Sequence, residues 1–207
     1  MDHQRIYLAA AAWFVDLVQQ VPSDRWDGPG LGVWNLRELT GHTVSAGFRA
    51  VLASLAQPAS RCDMPSAAGY YALARTVDPA FYQAAVAASE EGARREGAAL
   101  GDHPAGVMRP LLSEVAAAVE ATEDGQLVET PAGGMRVADW LVTRTFELAV
   151  HGLDLAGAAG VPASVPKEVL ADAVALAARV GVEVGDGPMV LLALTGRRPL
   201  PEGFCVL

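Results

Sequence analysis

Basic residues are scarce in this chain. Lys and Arg number 15 against 24 Asp and Glu, a net charge of −9. A nucleic-acid binder normally carries a basic stripe that neutralises phosphates, so the charge argues against that class, and an anionic membrane surface is a poor partner for the same reason. Cysteine is nearly absent, with only Cys62 in a loop-like stretch and Cys205 close to the C-terminus. The chain therefore reads as a reduced, cytoplasmic protein with free thiols. No His or Asn motif accompanies Cys62 to make it a nucleophile. Long apolar runs are missing too, and nothing approaches the ~18–20 residues that a membrane span needs. No secretory leader is expected at the opening, because Asp2 and His3 precede an amphipathic stretch carrying Asp16, Gln19 and Gln20. Gly28-Pro29-Gly30 lacks the strand-to-helix setting of a phosphate-cradling loop.

What the chain has in quantity is apolar, helix-favouring sequence. Hydrophobic residues make up 52% of 207 positions, enough for a substantial core. Alanine dominates, and Val sits mostly inside Ala/Leu runs, which favours helices. The length suits one domain, or one domain with a modest extension.

The first helix is expected over about 3–20, where Tyr7, Ala10, Phe14, Leu17 and Val18 recur at helical spacing. The glycines and proline of 24–33 make a loop. Asn35 with Glu38 three residues on has the form of a capping box, and opens a second helix from Leu36 to about Leu55. On it Val44, Phe48, Val51 and Leu55 share one face, and His42 lies with Glu38, Ser45 and Arg49 on the other. A linker-like segment, Pro58 to Pro65, leads on to an Ala-rich helix over about 79–100, whose Glu90, Glu91, Arg94 and Arg95 read as a solvated face. His103-Pro104 breaks it, and a further helix follows over about 105–121. Asp124-Gly125 is a turn, Leu127–Thr130 is extended, and Pro131–Gly134 is a tight loop. A long helix is expected from Met135 to Ala159, another from Lys167 to Val180, and a short apolar piece over Met189–Leu194.

The chemistry concentrates in Arg144–Asp154 on that long helix. At about 100° per residue, Glu147 and His151 stand one turn apart on one face, and Trp140, Arg144 and Asp154 fall on it too. The rest of the helix is apolar. Such a strip is usually the solvated face of an amphipathic helix. It can instead point into a bundle, where a carboxylate and an imidazole at i and i+4 converge on one metal ion. A bundle could bring His42 to the same place, and a His, Glu, His set with open positions suits zinc, with nickel, iron or manganese allowed by ligand type. His103, in a turn before a proline, and His3, in an N-terminus expected to fray, are left out.

Three segments together resemble the DinB-like, mycothiol-dependent maleylpyruvate isomerase group. They are Trp34–His42, the run from Gly133-Gly134-Met135-Arg136 to Arg144–Leu155, and Ala193–Arg197 with Leu200-Pro201 and Gly203-Phe204. The resemblance implies an all-α, up-down four-helix bundle over 1–160 with a short helical appendage over 161–207. It implies that His42, Glu147 and His151 are metal ligands, and that zinc (or another divalent ion such as nickel) and mycothiol are cofactors. A metal-bound thiolate of that kind adds to a cis double bond, allows rotation and leaves again; related members use it on other electrophiles. The isomerase carries a fuller C-terminal domain than residues 161–207 offer, so maleylpyruvate itself is not the expected substrate. Arg144 and Asp154 are expected to orient the ligands or a substrate carboxylate. The expected partners are a small-molecule thiol and an electrophilic substrate, with the chain a monomer or homodimer. The expected activity is a thiol transferase or isomerase. The alternatives are a non-catalytic metal- or ligand-binding regulatory module and a metal-dependent hydrolase on the same scaffold.

Overall fold

The structure is a computed structural model that describes residues 2–123 and 125–207. Asp124, expected in a turn with Gly125, lies outside the described residues. Helices α1 (His3–Val18), α2 (Leu36–Val44), α3 (Ala50–Leu55), α4 (Ala67–Ala72), α5 (Pro79–Ala99), α6 (Pro104–Glu120), α7 (Val137–Ala159), α8 (Lys167–Glu183) and α9 (Gly187–Leu194) carry the fold. One small antiparallel hairpin, β1 (Leu127–Thr130) and β2 (Gly133–Arg136), interrupts them. The protein is thus helical, as the composition requires.

Four rods form the bundle: α1, the continuous α2–α3 rod, α6 and α7. Each packs against two of the others in a closed ring. Gln4 of α1 donates to Thr122 beyond the end of α6, and Arg109 of α6 donates to Gln19 at the end of α1, so these two helices run antiparallel. Between them Tyr7, Phe14, Leu17, Leu39, Phe48, Met108, Trp140, Leu141 and Leu148 are fully buried. The extension contributes to the same core, because α8 buries Val169, Leu176 and Val180 in it.

The N-terminus of α2 forms as its sequence dictates. The Asn35 side chain accepts from the Glu38 N–H at 2.8 Å, and the Glu38 carboxylate accepts from the Asn35 N–H at 3.0 Å. This reciprocal capping box satisfies two backbone donors that the helix itself leaves open. Further on, the rod widens into a π-helical turn over Ser45–Arg49. Such turns leave carbonyls that need outside partners. Tyr7 Oη donates to the Gly47 carbonyl at 2.7 Å, and Arg144 Nη1 to the Ala46 carbonyl at 3.2 Å.

Two regions differ from the sequence expectation. The long connection between the second and third bundle rods contains α4 and a short 3₁₀ turn over Leu73–Arg75, neither of them visible in the apolar pattern. And α7 begins at Val137 rather than Met135, because Gly133–Arg136 pairs with β1 in a register that sets Met135 opposite Val128, both fully buried. The hairpin also holds the linker-like segment: the Gly134 N–H donates to Asp63, and the Gly134 carbonyl accepts from the N–H groups of Asp63 and Met64.

Helix α5 approaches α2 unusually closely. A Cβ at Gly41 would lie 2.3 Å from the Gly97 nitrogen, and one at Gly97 would lie 2.8 Å from the Arg37 carbonyl oxygen. Only glycine at both positions allows this backbone contact, and the contact is what brings α5 within reach of His42. The charged face of α5 is as expected, with Arg94 paired to Glu90 and Glu91. No helix among the described residues is long and apolar enough to cross a membrane.

Candidate metal centre

The polar strip of α7 faces inward. Arg144 is 5% exposed, and the side chains of Glu147 and His151 retain 17% and 16% of their accessibility. Helix α2 runs antiparallel to α7 here, pairing His42 with His151 and Ala46 with Arg144. The His42 and His151 rings meet edge to face, with centroids 4.7 Å apart. Trp34 stacks on His42, with ring centroids 4.6 Å apart. One donor atom each from His42, Glu147 and His151 lies within 4.8 Å of the others, the one such group of three found among the described residues. Ligand bonds of about 2.0–2.2 Å hold donors no more than ~4.4 Å apart, so a small inward movement closes the set on an ion.

Each of the three has an outer partner that occupies its other polar atom. Ser89 Oγ of α5 lies 3.2 Å from His42 Nδ1. Asp154 Oδ2 lies 3.2 Å from His151 Nδ1. Tyr71 Oη of α4 donates to Glu147 Oε1 at 2.7 Å. That leaves Nε2 of His42, Oε2 of Glu147 and Nε2 of His151, and the latter two are 3.3 Å apart. Hydrogen bonds of this kind fix ring orientation and tautomer at metal sites. The donor set therefore fits a divalent ion.

Charge in the cluster is unevenly held. Burial, with the neighbouring His151 and Arg144, brings the His42 imidazole down to about 4 against the pull of Glu147. Burial also opposes charge on His151, but the hydrogen bonds to Asp154 and Glu147 outweigh it and raise that ring to about 9. Burial works against the Glu147 carboxylate, yet His151 and Arg144 bring it down to about 2. Tyr71 is pushed well above its ordinary range by burial and by Glu147, so it remains a donor. Without an ion the site thus holds neutral His42 beside a His151 imidazolium paired with the Glu147 carboxylate. An ion binding here displaces the proton on His151.

Arg144 is enclosed. Its guanidinium lies 4.1 Å from the Trp140 ring centre and 5.4 Å from that of Tyr70. It donates to Thr143 Oγ1 and to the Ala46 carbonyl, and Nη2 is 3.9 Å from Glu147 Oε1. Those contacts are to a cluster carboxylate and to the π-helical turn.

The remaining histidines stand apart. His103 is exposed at the N-cap of α6, without a side-chain capping bond. His3 lies in the first turn of α1, behind the Asp2 cap, and is half-buried. Cys62 and Cys205 are free and exposed. Tyr71 and Ser89 were not legible in the sequence. Tyr71 sits in a short helix with no apolar period, and Ser89 closes a run of alanines that gives no polar signal of its own.

Residues 7–156 match the family of the mycothiol maleylpyruvate isomerase N-terminal domain. The chain belongs to this family. The match covers most of the chain and includes His42, Tyr71, Ser89, Arg144, Glu147, His151 and Asp154. The mycothiol maleylpyruvate isomerase N-terminal domain is a DinB-like helical domain, in agreement with the bundle described above. No curated protein and no solved structure matched the chain.

Proposed function

We propose that this protein is a metal-dependent, mycothiol-using thiol transferase or isomerase that acts on a small electrophilic substrate, with His42, Glu147 and His151 holding one divalent ion, most naturally zinc. The observation that carries the reading is the set of outer partners. Ser89, Tyr71 and Asp154 each occupy one polar atom of a ligand and leave its other polar atom to the cluster. A solvated polar face has no use for such an arrangement. Membership of a family named for mycothiol and maleylpyruvate isomerase supports a thiol as the second component.

Three protein donors leave coordination positions free, which is the mark of a catalytic rather than a structural ion. A divalent ion bound there supplies Lewis acidity, lowering the pKa of a thiol so that the thiolate predominates near neutral pH. The chain's own residues hold the site in readiness. Asp154 holds the Nδ1 proton of His151, so that Nε2 faces the cluster. Ser89 and the Trp34 ring fix His42 from its edge and its face. Arg144 and Tyr71 keep Glu147 ionised and oriented. The partial exposure of Glu147 and His151 gives a small thiol and its electrophile an approach from solvent.

The test is turnover of a generic electrophile by zinc-loaded protein with and without added thiol. Thiol-dependent turnover that is lost in His42→Ala supports the reading. Equal turnover without thiol points to activated water and a hydrolase. Binding of metal and thiol with no turnover points to a regulatory module.

A further inference from the structure

The two oxygens of the Glu147 carboxylate have different surroundings. Oε1 accepts the Tyr71 hydroxyl at 2.7 Å and lies 3.9 Å from Arg144 Nη2. Oε2 faces His151 Nε2 at 3.3 Å. Tyr71 is itself firmly placed. Its ring packs against Phe146 with centroids 5.2 Å apart and against Tyr70 at 5.3 Å, and its hydroxyl also lies 3.0 Å from the Thr143 carbonyl oxygen. It comes from α4, outside the four bundle rods, so the bundle alone does not determine how the carboxylate is turned.

A carboxylate can bind an ion through one oxygen or through both. For Glu147 to use both, Oε1 has to turn away from its short, charge-assisted bond with the Tyr71 hydroxyl and from the guanidinium, leaving the hydroxyl only the neutral Thr143 carbonyl at 3.0 Å. We propose that Tyr71 is a positioning residue that restricts Glu147 to binding through Oε2 alone, and thereby keeps open the coordination position at which a thiol binds. This rests on the metal-site reading above. It assigns to α4 the task of setting coordination number, distinct from the task of binding the ion. Ser89 differs in kind: it steadies His42, a ligand with only one atom to offer, so its loss weakens metal binding without changing the number of bonds.

Cobalt(II) reports coordination number, because its visible bands are strong with four ligands and weaken as further ligands bind. The experiment loads the full-length chain with Co²⁺ as wild type, Tyr71→Phe and Ser89→Ala, records the visible spectrum, and titrates each with 2-mercaptoethanol, following the sulfur-to-cobalt charge-transfer band. Tyr71→Phe keeps the ring packing and loses only the hydroxyl. It is expected to bind Co²⁺ at least as tightly as wild type, to show weakened visible bands before thiol is added, and to bind thiol about tenfold more weakly because a second carboxylate oxygen has to be displaced. Ser89→Ala is expected to bind Co²⁺ more weakly with an unchanged band shape, which separates general loosening from a change in coordination. Wild-type spectra and wild-type thiol affinity in Tyr71→Phe overturn the role of Tyr71 and leave the metal site standing. A wild-type chain that gives no protein-bound cobalt spectrum overturns both together.

Discussion

Asp154 Oδ2 and His151 Nδ1 lie 3.2 Å apart, one turn along α7, and this contact sets the charge of the cluster. With Glu147 it holds His151 up at about 9, although burial opposes the charge. A group raised above its unfolded value adds stability that is complete below the unfolded pKa, ~6.5, and lost as pH rises through the folded one. His42, lowered to about 4, acts in the opposite sense: burial keeps it neutral, and stability falls as pH drops from 6.5 toward 4. Glu147, lowered to about 2, adds stability that is complete above its ordinary value of 4.5 and is lost as pH falls through 2.

The metal-free protein should therefore melt highest near pH ~6.5, with Tm declining on both sides. Asp154→Asn should move the alkaline decline to lower pH, because His151 then gives up its proton sooner. Thermal melts of chelator-treated protein from pH 4 to 10 measure this. A Tm that is flat between pH 6.5 and 9 in wild type, or an alkaline limb that Asp154→Asn leaves in place, contradicts the charge assignment.

Zinc affinity should carry the matching signature. Binding releases the His151 proton, so between pH 6 and 8 the apparent affinity should rise by about tenfold per pH unit. A competition titration against a chelator of known pH dependence reads the slope. An affinity independent of pH over that range contradicts a His151 imidazolium in the metal-free site.

Much of this was legible in the chain itself, and the exceptions have physical causes. The capping box at Asn35 and Glu38, the apolar face of α1 and the single-faced strip of α7 are local patterns, and local patterns survive in sequence. The convergence of His42 with Glu147 and His151 is not local: residues 42 and 147 meet only because α2 packs antiparallel on α7, and the resemblance of Trp34–His42 and Arg144–Leu155 to a known family supplied that link. Tyr71 and Ser89 depend on how the long crossover connection lies against the bundle. Nothing periodic in residues 66–78 announces α4, and the seating of α5 turns on Gly41 and Gly97, which in sequence are two glycines among 21.

That seating gives a sharp contrast between glycines. Gly41→Ala forces a methyl into the backbone of Gly97 and Ala93, which has no flexible side chain to yield. A loss of about 1–3 kcal/mol is expected, together with weaker metal binding as Ser89 moves away from His42. Gly92→Ala, on the same helix α5 but with nothing within 4 Å of the added carbon, should be neutral or gain up to about 1 kcal/mol from helix propensity. Denaturant melts of both variants check this. Equal effects from the two substitutions would mean the Gly41–Gly97 contact is not tight.

Arg144→Ala takes from Glu147 one of its two cationic neighbours, leaving His151, and takes from the Ala46 carbonyl its donor. Breaking a buried pair outright costs about 3–5 kcal/mol, and because His151 still compensates Glu147 the loss is expected at the lower end of that range. Arg144→Lys should restore little of it, since a lysine cannot hold the planar stack on Trp140 and both hydrogen bonds at once. Urea unfolding of the metal-free variants measures the loss. Full rescue by lysine would show that charge alone matters at this position.

The central claim is that His42, Glu147 and His151 hold one divalent ion. The most direct measurement is calorimetric titration of zinc into chelator-treated wild type, His42→Ala and His103→Ala, with Tm recorded on the same samples. Wild type and His103→Ala should each take up one tightly bound ion per chain and melt higher by mass action. His42→Ala, left with the i, i+4 pair, should bind far more weakly and gain little in Tm. Absence of tight zinc binding in wild type, or His42→Ala and His103→Ala behaving alike, would show that the polar strips of α2 and α7 do not form a metal site.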